Sequence, residues 1–384
     1  MKLAPVETVV ASGRPLDVAE VHGRASLALR AWLVSGTLAT PADEQDAAPT
    51  AAAARAHRLG PLLYLAARSP GHGWPEDVLR ELHDTYQRWF VRGSQRLDVA
   101  QRVLALMDQA ALRALPLKGV TVAERLYASV AERPMADIDI LALDDWPASV
   151  AVLEAAGFRV MDRADHAWAF AEPAQDVTVE LHHSITSCPG LFPVDREGLW
   201  ARRWRGPGHV KPAPSAEDLL GQLALHTAFQ HGLVSSLGQY LDFRRLLERE
   251  SPDTDRVLAI AASARAEAPL AAALEAAATT VGAPVPERLR RELRRRTSRT
   301  FQSWLASRLR EPSGLLVPAM PSLGRARWAL ASGRRLAFVL GTLAPSSPAS
   351  AGPPWRQPSR LLARIASLAT RWGPGAVRGL LGRR

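Results

Sequence analysis

The sequence predicts an α+β protein, with a short mixed sheet-and-helix unit set between helical regions. Three observations carry this. Apolar residues recur at three-and-four spacing up to about residue 110 and again from Ser215 onward. Between those regions the period falls to two in "ADIDILAL" and "VTVELHH". There, short strand-like runs are interspersed with helical stretches over roughly 100 residues.

The elements follow in order. "AAAARAHRLGPLLYLAARS" reads as helix interrupted at Gly60-Pro61. "EDVLRELHDTYQRWFVRGSQRLDVAQRVLALMDQAAL" keeps helical spacing over many turns, as one long helix or two. "LRALPLKGV" is a short apolar segment ending at Lys118-Gly119, and "VTVAERLYASV" is helical. "ADIDILAL" alternates as a strand. "DDWPASVAVLEAAGF" reads as a helix capped by Asp144 or Asp145 and closed at Gly157. "FRVM", "AWAFA" and "VTVELHH" are short strands. From Ser215 a Ser-x-x-Asp cap opens further amphipathic helices. This divides the chain into an N-terminal helical region (1–110), an α/β core (111–212), a C-terminal helical region (213–310) and a Pro/Arg-rich basic tail (311–384). The tail carries one amphipathic helix, "SRLLARIASLATRW".

Composition excludes several classes. A single cysteine, Cys188, rules out an internal disulfide framework. No Cys/His cluster has zinc spacing. The first residues lack the apolar core of a signal peptide, and no apolar run is long enough to span a membrane. A bacterial-type cytoplasmic protein is expected. The net charge is +10, but it is unevenly placed. From Pro286 onward 20 Arg stand against 3 acids, so the preceding 285 residues carry −7. Such asymmetry fits a tail that meets nucleic acid or an anionic membrane, or a solvated arginine-rich end. In "LWARRWRGPG", Trp200 and Trp204 sit among arginines, where base stacking competes with a tryptophan-anchored loop.

The chemistry centres on "RPMADIDILALDD". On a strand, Asp137 and Asp139 point to one side while Ile138 and Ile140 enter the core. Two ionised carboxylates so close are costly beside a core unless a cation lies between them. Mg²⁺, or Mn²⁺ as the alternative, takes such oxygen ligands. In "VTVELHH", Glu180 and His182 share the face opposite Val179 and Leu181. If that strand lies beside the Asp137 strand, Glu180 joins the pair. His183 must then face the other way. Lys118-Gly119 sits at a strand-to-helix turn, where backbone N–H groups, a lysine and a glycine's close approach suit phosphate. Arg133, four residues before Asp137, could offset phosphate charge. His226 and His231, five apart on a helix, should point about 140° apart, a poor metal pair.

"LPLKGVTVAERLYASVAERPMADIDILAL", followed by a helix ending "AAGF" and then "VTVELHHSI", resembles the bacterial nucleotidyltransferase family of largely uncharacterised function. That family belongs to the DNA polymerase β-like nucleotidyltransferase superfamily. The matching positions are Leu117-Lys118-Gly119, Tyr127, Arg133, Asp137, Asp139, Glu180 and His182, with His226 and Asp242 later. Two departures stand out: Lys-Gly where the superfamily usually has Gly-Ser, and Glu180 where many members have Asp. The resemblance implies a nucleotidyltransferase-like mixed sheet and transfer of an NMP from an NTP to an acceptor hydroxyl. It implies that Asp137, Asp139 and Glu180 hold metal and that Glu180 assists deprotonation. It implies further that Lys118 and Gly119 hold the triphosphate and that Arg133 offsets developing charge. The acceptor would be a small molecule or peptide-derived product. Toxin-type nucleotidylation of protein or RNA, and a non-catalytic nucleotide-binding module, are the competing readings.

Overall fold

A computed structural model describes residues 18–69, 71–164, 166–186, 190–206, 212–310 and 315–316. The tail helix "SRLLARIASLATRW" and Cys188 lie outside the described residues. The N-terminal region is helical: α1 (Val18–Ser35), α2 (Glu44–Ala56), α3 (Gly60–Ala67) and α4 (Glu76–Gln109). Pro61 stands in the first turn of α3, where its missing N–H costs nothing, so Gly60-Pro61 begins α3, while α2 has already ended at Ala56. The long amphipathic stretch is one helix of 34 residues, α4, about 50 Å in length.

The central unit contains β1 (Ala114–Pro116), α5 (Lys118–Leu126), a 3₁₀ turn (Val130–Glu132), β2 (Ile138–Ala142), α6 (Trp146–Ala155), β3 (Arg159–Arg163), β4 (Ala167–Ala171) and β5 (Thr178–His182). Asp145 caps α6 by accepting from the Ala148 N–H at 2.8 Å. The five strands form one mixed sheet ordered β1-β2-β5-β4-β3. Only β2 and β5 run parallel, and their register sets Asp139 opposite Glu180. On one face Ile138, Ile140, Val179 and Leu181 join a core with Val99, Val103 and Met107 of α4 and Leu153 of α6. Asp139, Glu180 and His182 alternate onto the other face.

The chain continues through α7 (Arg196–Ala201), α8 (Ala216–Ala224), a π-helical turn (Leu225–Gln230), α9 (Leu237–Glu250), α10 (Thr254–Ser263), α11 (Glu267–Val281), α12 (Glu287–Arg296) and α13 (Arg299–Leu309). Ser215 caps α8 and Ser236 forms a capping box on α9. Helices α1–α3 and the C-terminal helices share one apolar core, which includes Leu29, Leu59, Leu63, Phe229, Tyr240 and Leu274. The basic aromatic stretch folds on itself: Arg203 stacks over Trp200 at 4.1 Å and Arg125 over Trp204 at 4.4 Å.

The segment between α5 and β2 is pinned at three points, by α4 and α9. Gly93 of α4 packs against Val130, where a Cβ would come within 2.5 Å of Cγ2. Buried Arg96 of α4 donates Nε and Nη2 to the Ala136 carbonyl at 3.2 and 3.0 Å. Asp242 of α9, fully buried, accepts from Arg133 Nη2 at 2.7 Å and from the Tyr127 hydroxyl at 2.8 Å.

Asp242→Ala should destabilise the protein by about 3–5 kcal/mol in denaturant unfolding, because it leaves a buried guanidinium uncompensated. The apolar double replacement Arg133→Met with Asp242→Leu should recover most of that loss. A loss below about 1 kcal/mol for Asp242→Ala would mean that solvent reaches the pair.

Candidate active site

Asp139 lies at the centre of the polar sheet face, 2% exposed. His182 Nε2 stands 2.9 Å from its Oδ1 and 3.4 Å from Glu180 Oε2. Lys118 Nζ approaches the same Asp139 oxygen at 3.3 Å. Lys118 opens α5 directly after Leu117, whose N–H donates to the Asp139 carbonyl at 2.8 Å. A lysine in a first helical turn opposes the helix dipole. Its carboxylate partner on β2 offsets that cost.

Asp139, Glu180 and His182 each offer a ligand atom within 4.8 Å of the others, a group able to hold a metal ion. Asp137 falls outside this group and one residue before β2. It is half-buried, and its carboxylate makes no hydrogen bond or ion pair among the described residues. Burial first, and then the Asp139 charge, push its pKa up. Burial also opposes the charge on Asp139, but the Lys118 ammonium and the His182 hydrogen bond overcome it and hold that carboxyl well below the usual range. The His182 hydrogen bond lowers the Glu180 pKa against burial. Burial alone would keep His182 neutral, yet its bonds to Asp139 and Glu180 push it up to about 9. Its Nδ1 also faces an acceptor, the Ser184 carbonyl at 3.4 Å, so the imidazolium uses both ring N–H groups.

The family model described as uncharacterised nucleotidyltransferase matches residues 43–282. The chain belongs to that family. It is a transferase of nucleotidyl groups, with the mixed α+β fold that its sequence predicts. A solved structure of the antibiotic-resistance factor ANT(2'')-Ia is similar over 45% of this chain and 92% of that chain, at 16% identity and a TM-score of 0.34. No curated protein matches the chain.

Within this nucleotidyltransferase, three residues sit otherwise than their sequence context suggests. Arg133 does not project freely beside Asp137. Its guanidinium is buried and donates through Nε and Nη2 to Asp242 at 3.2 and 2.7 Å. Burial works against its charge, but Asp242 outweighs burial and raises its pKa. His226 and His231 do not diverge by the α-helical angle. A π turn, closed by the His231 N–H to the His226 carbonyl at 3.1 Å, brings the rings to 4.3 Å and their Nε2 atoms to 3.0 Å. His226 Nδ1 in turn stands 3.3 Å from Lys118 Nζ. Burial first, then the Lys118 charge, lowers the His226 pKa well below its ordinary value. Neutral His226 therefore accepts from Lys118 at Nδ1 and donates from Nε2 to His231.

His183 faces away from the acids, edge-on to Trp146 at 5.0 Å. Gly119 is buried, and a Cβ there would meet Met135 Sδ at an ordinary 3.6 Å. Protein packing therefore does not require glycine at that position. Arg96, which fixes the carbonyl just before Asp137, was not legible in sequence, where it is one arginine among many on a long helix.

The His182 shift gives a pH signature for the chelator-treated protein. A raised histidine pKa contributes stability fully present below the unfolded value of about 6.5 and lost as pH rises through about 9. Wild type should therefore melt above His182→Gln at pH 6, and the gap should close by about pH 10. A gap independent of pH would show that His182 is not charged there.

Proposed function

We propose that this nucleotidyltransferase moves an NMP from an NTP to the hydroxyl of a small molecule or peptide-derived acceptor, with Mg²⁺ or Mn²⁺. The pairing of Asp139 with Glu180 on adjacent parallel strands, beside Lys118 on a helix N-terminus, carries this reading. The donor set fits a divalent cation. Asp137 has an unpartnered, half-buried carboxylate that Asp139 and Glu180 repel. Two carboxylates suit Mg²⁺, and the imidazole among them also suits Mn²⁺. Asp137, Asp139 and Glu180 would hold the ion, with His182 orienting both Asp139 and Glu180. A divalent cation bound there supplies neutralisation of phosphate charge and of the charge developing on the attacking and leaving oxygens.

The chain's own groups do the rest. The acceptor hydroxyl attacks the α-phosphorus; the new oxygen–phosphorus bond forms as the bond to the β-phosphate bridge breaks. Pyrophosphate leaves with that electron pair. Glu180 takes the hydroxyl proton, since its side chain is 35% exposed where that of Asp139 is 1%. Lys118 and the first N–H groups of α5 bind the phosphates, with Gly119 allowing close approach. Arg133, paired with Asp242, anchors the segment that leads into Asp137. His226 holds the Lys118 ammonium in place.

Incubation with each α-labelled NTP, Mg²⁺ or Mn²⁺ and cell extract should label an acceptor. Asp139→Asn should cut labelling at least about 100-fold, because neutralising a buried ligand removes most of the attraction for a hard cation. Equal labelling by wild type and Asp139→Asn, or none with any NTP, would defeat the reading.

A further inference from the structure

The turn between α2 and α3 holds a residue in a backbone conformation that does not suit it. Arg58 has φ +60, the left-handed region. Its N–H bonds to the Arg55 carbonyl at 3.1 Å, and the Leu59 N–H bonds to the Ala54 carbonyl at 2.7 Å. This is the helix-ending motif in which glycine normally takes the left-handed position. An arginine there is strained, and such strain persists only where the surroundings fix the backbone.

The surroundings do fix it. Buried His57 pairs through Nε2 with Ser26 Oγ at 2.8 Å. The first turn of α9 presses on the same turn: the Gly238 N–H donates to the His57 carbonyl at 3.0 Å. A Cβ on Gly238 would come within 2.9 Å of that carbonyl oxygen, so α9 needs a glycine to dock this closely. The N-terminal helices thus hold Arg58 beside Tyr127, Arg133 and Gln239.

The side chain has no internal use for that position. Its guanidinium makes no hydrogen bond or ion pair among the described residues, and the residue is exposed. It lines a recess with Tyr127, Arg133 and Gln239. Gln239 Nε2 lies 3.4 Å from His226 Nε2, which links the recess to Lys118 and Asp139. Asp137 and Asp242 attract the Arg58 guanidinium, while the Arg133 charge repels it. Two neighbouring cations are already held within the protein: Arg133 by Asp242 and Arg96 by the Ala136 carbonyl.

We propose that Arg58 binds the phosphate chain of the nucleoside triphosphate, reaching from the N-terminal helices toward Asp137. This rests on the nucleotidyl-transfer reading above. It gives the N-terminal helices a direct part in substrate binding. It also accounts for an arginine where the backbone favours glycine.

Left-handed geometry makes the test sharp, because glycine and asparagine both suit it. Melting temperature and Mg²⁺-dependent affinity for each of the four NTPs and for inorganic triphosphate are measured in wild type, Arg58→Gly, Arg58→Asn and Arg58→Lys. Arg58→Gly and Arg58→Asn should melt no lower than wild type. Both should bind triphosphate at least about tenfold more weakly, the scale of a charge-assisted hydrogen bond. Arg58→Lys should recover part of that affinity. Affinity within about twofold of wild type in the glycine and asparagine variants would overturn the proposal. If both variants lose stability along with affinity, Arg58→Lys decides: recovery supports the proposal and no recovery overturns it. The two readings fail differently. Wild type that binds no NTP sinks nucleotidyl transfer itself, whereas NTP binding lost in Asp139→Asn but kept in Arg58→Gly and Arg58→Asn sinks only the role of Arg58.

Discussion

The architecture of the site depends on one buried ion pair. Asp242 has no solvent exposure, and a carboxylate there is tolerable only because Arg133 and Tyr127 both donate to it. Asp242 belongs to α9 in the helical half; Arg133 and Tyr127 belong to the segment that feeds β2. The pair therefore clamps the helical half to the sheet at the point where the chain enters the strand carrying the acids. Arg96 and Gly93 press the same segment onto α4. Asp137 and Asp139 are thus presented from a backbone fixed on both sides, and their positions do not depend on a flexible loop.

The seam so created explains why residues from distant parts of the chain meet. Lys118 and Asp139 come from the sheet unit, His226 from the π turn after α8 and Gln239 from α9. An α-helix continuing through Leu225–Gln230 would carry His226 and His231 to different directions. The wider turn gathers them on one side and puts a neutral imidazole against the Lys118 ammonium. An ammonium between a carboxylate and an imidazole nitrogen has its direction set by both, which keeps it beside Asp139.

Much of this was legible in the sequence because strand periodicity is simple. Alternation alone puts Ile138 and Ile140 inward and Asp139 outward, and the same rule puts Glu180 and His182 on one face of their own strand. Only the adjacency of the two strands had to be supplied, and the parallel β2–β5 register supplies it. What stayed illegible depends on long-range partners or on backbone states that leave no pattern. The partner of Arg133 lies 109 residues away. An arginine four residues before two acids reads as a phosphate ligand, and nothing near it in the sequence points to Asp242. The π turn leaves the apolar spacing of its helix almost unchanged, so nothing in "LALHTAFQHGL" marks it. Arg58 lies in a stretch where Gly60-Pro61 already accounts for the break, which hides the left-handed residue just before it.

The distribution of charge at the seam shows how most of its buried charges are balanced within the protein itself. Asp139 and Glu180 are stabilised without metal because Lys118 and the His182 imidazolium lie against them. Arg133 is stabilised without substrate because Asp242 lies against it. Asp137 has no such partner among the described residues, and neither does the Arg58 guanidinium. They carry opposite charges and attract each other, yet they make no ion pair. On the proposed reading, a direct Asp137–Arg58 pair would have its strength subtracted from the affinity for metal and for phosphate. Holding the two apart, one at the strand entrance and one in a left-handed turn, places the strain in the backbone. On that reading both charges remain available, Asp137 for a cation and Arg58 for an anion.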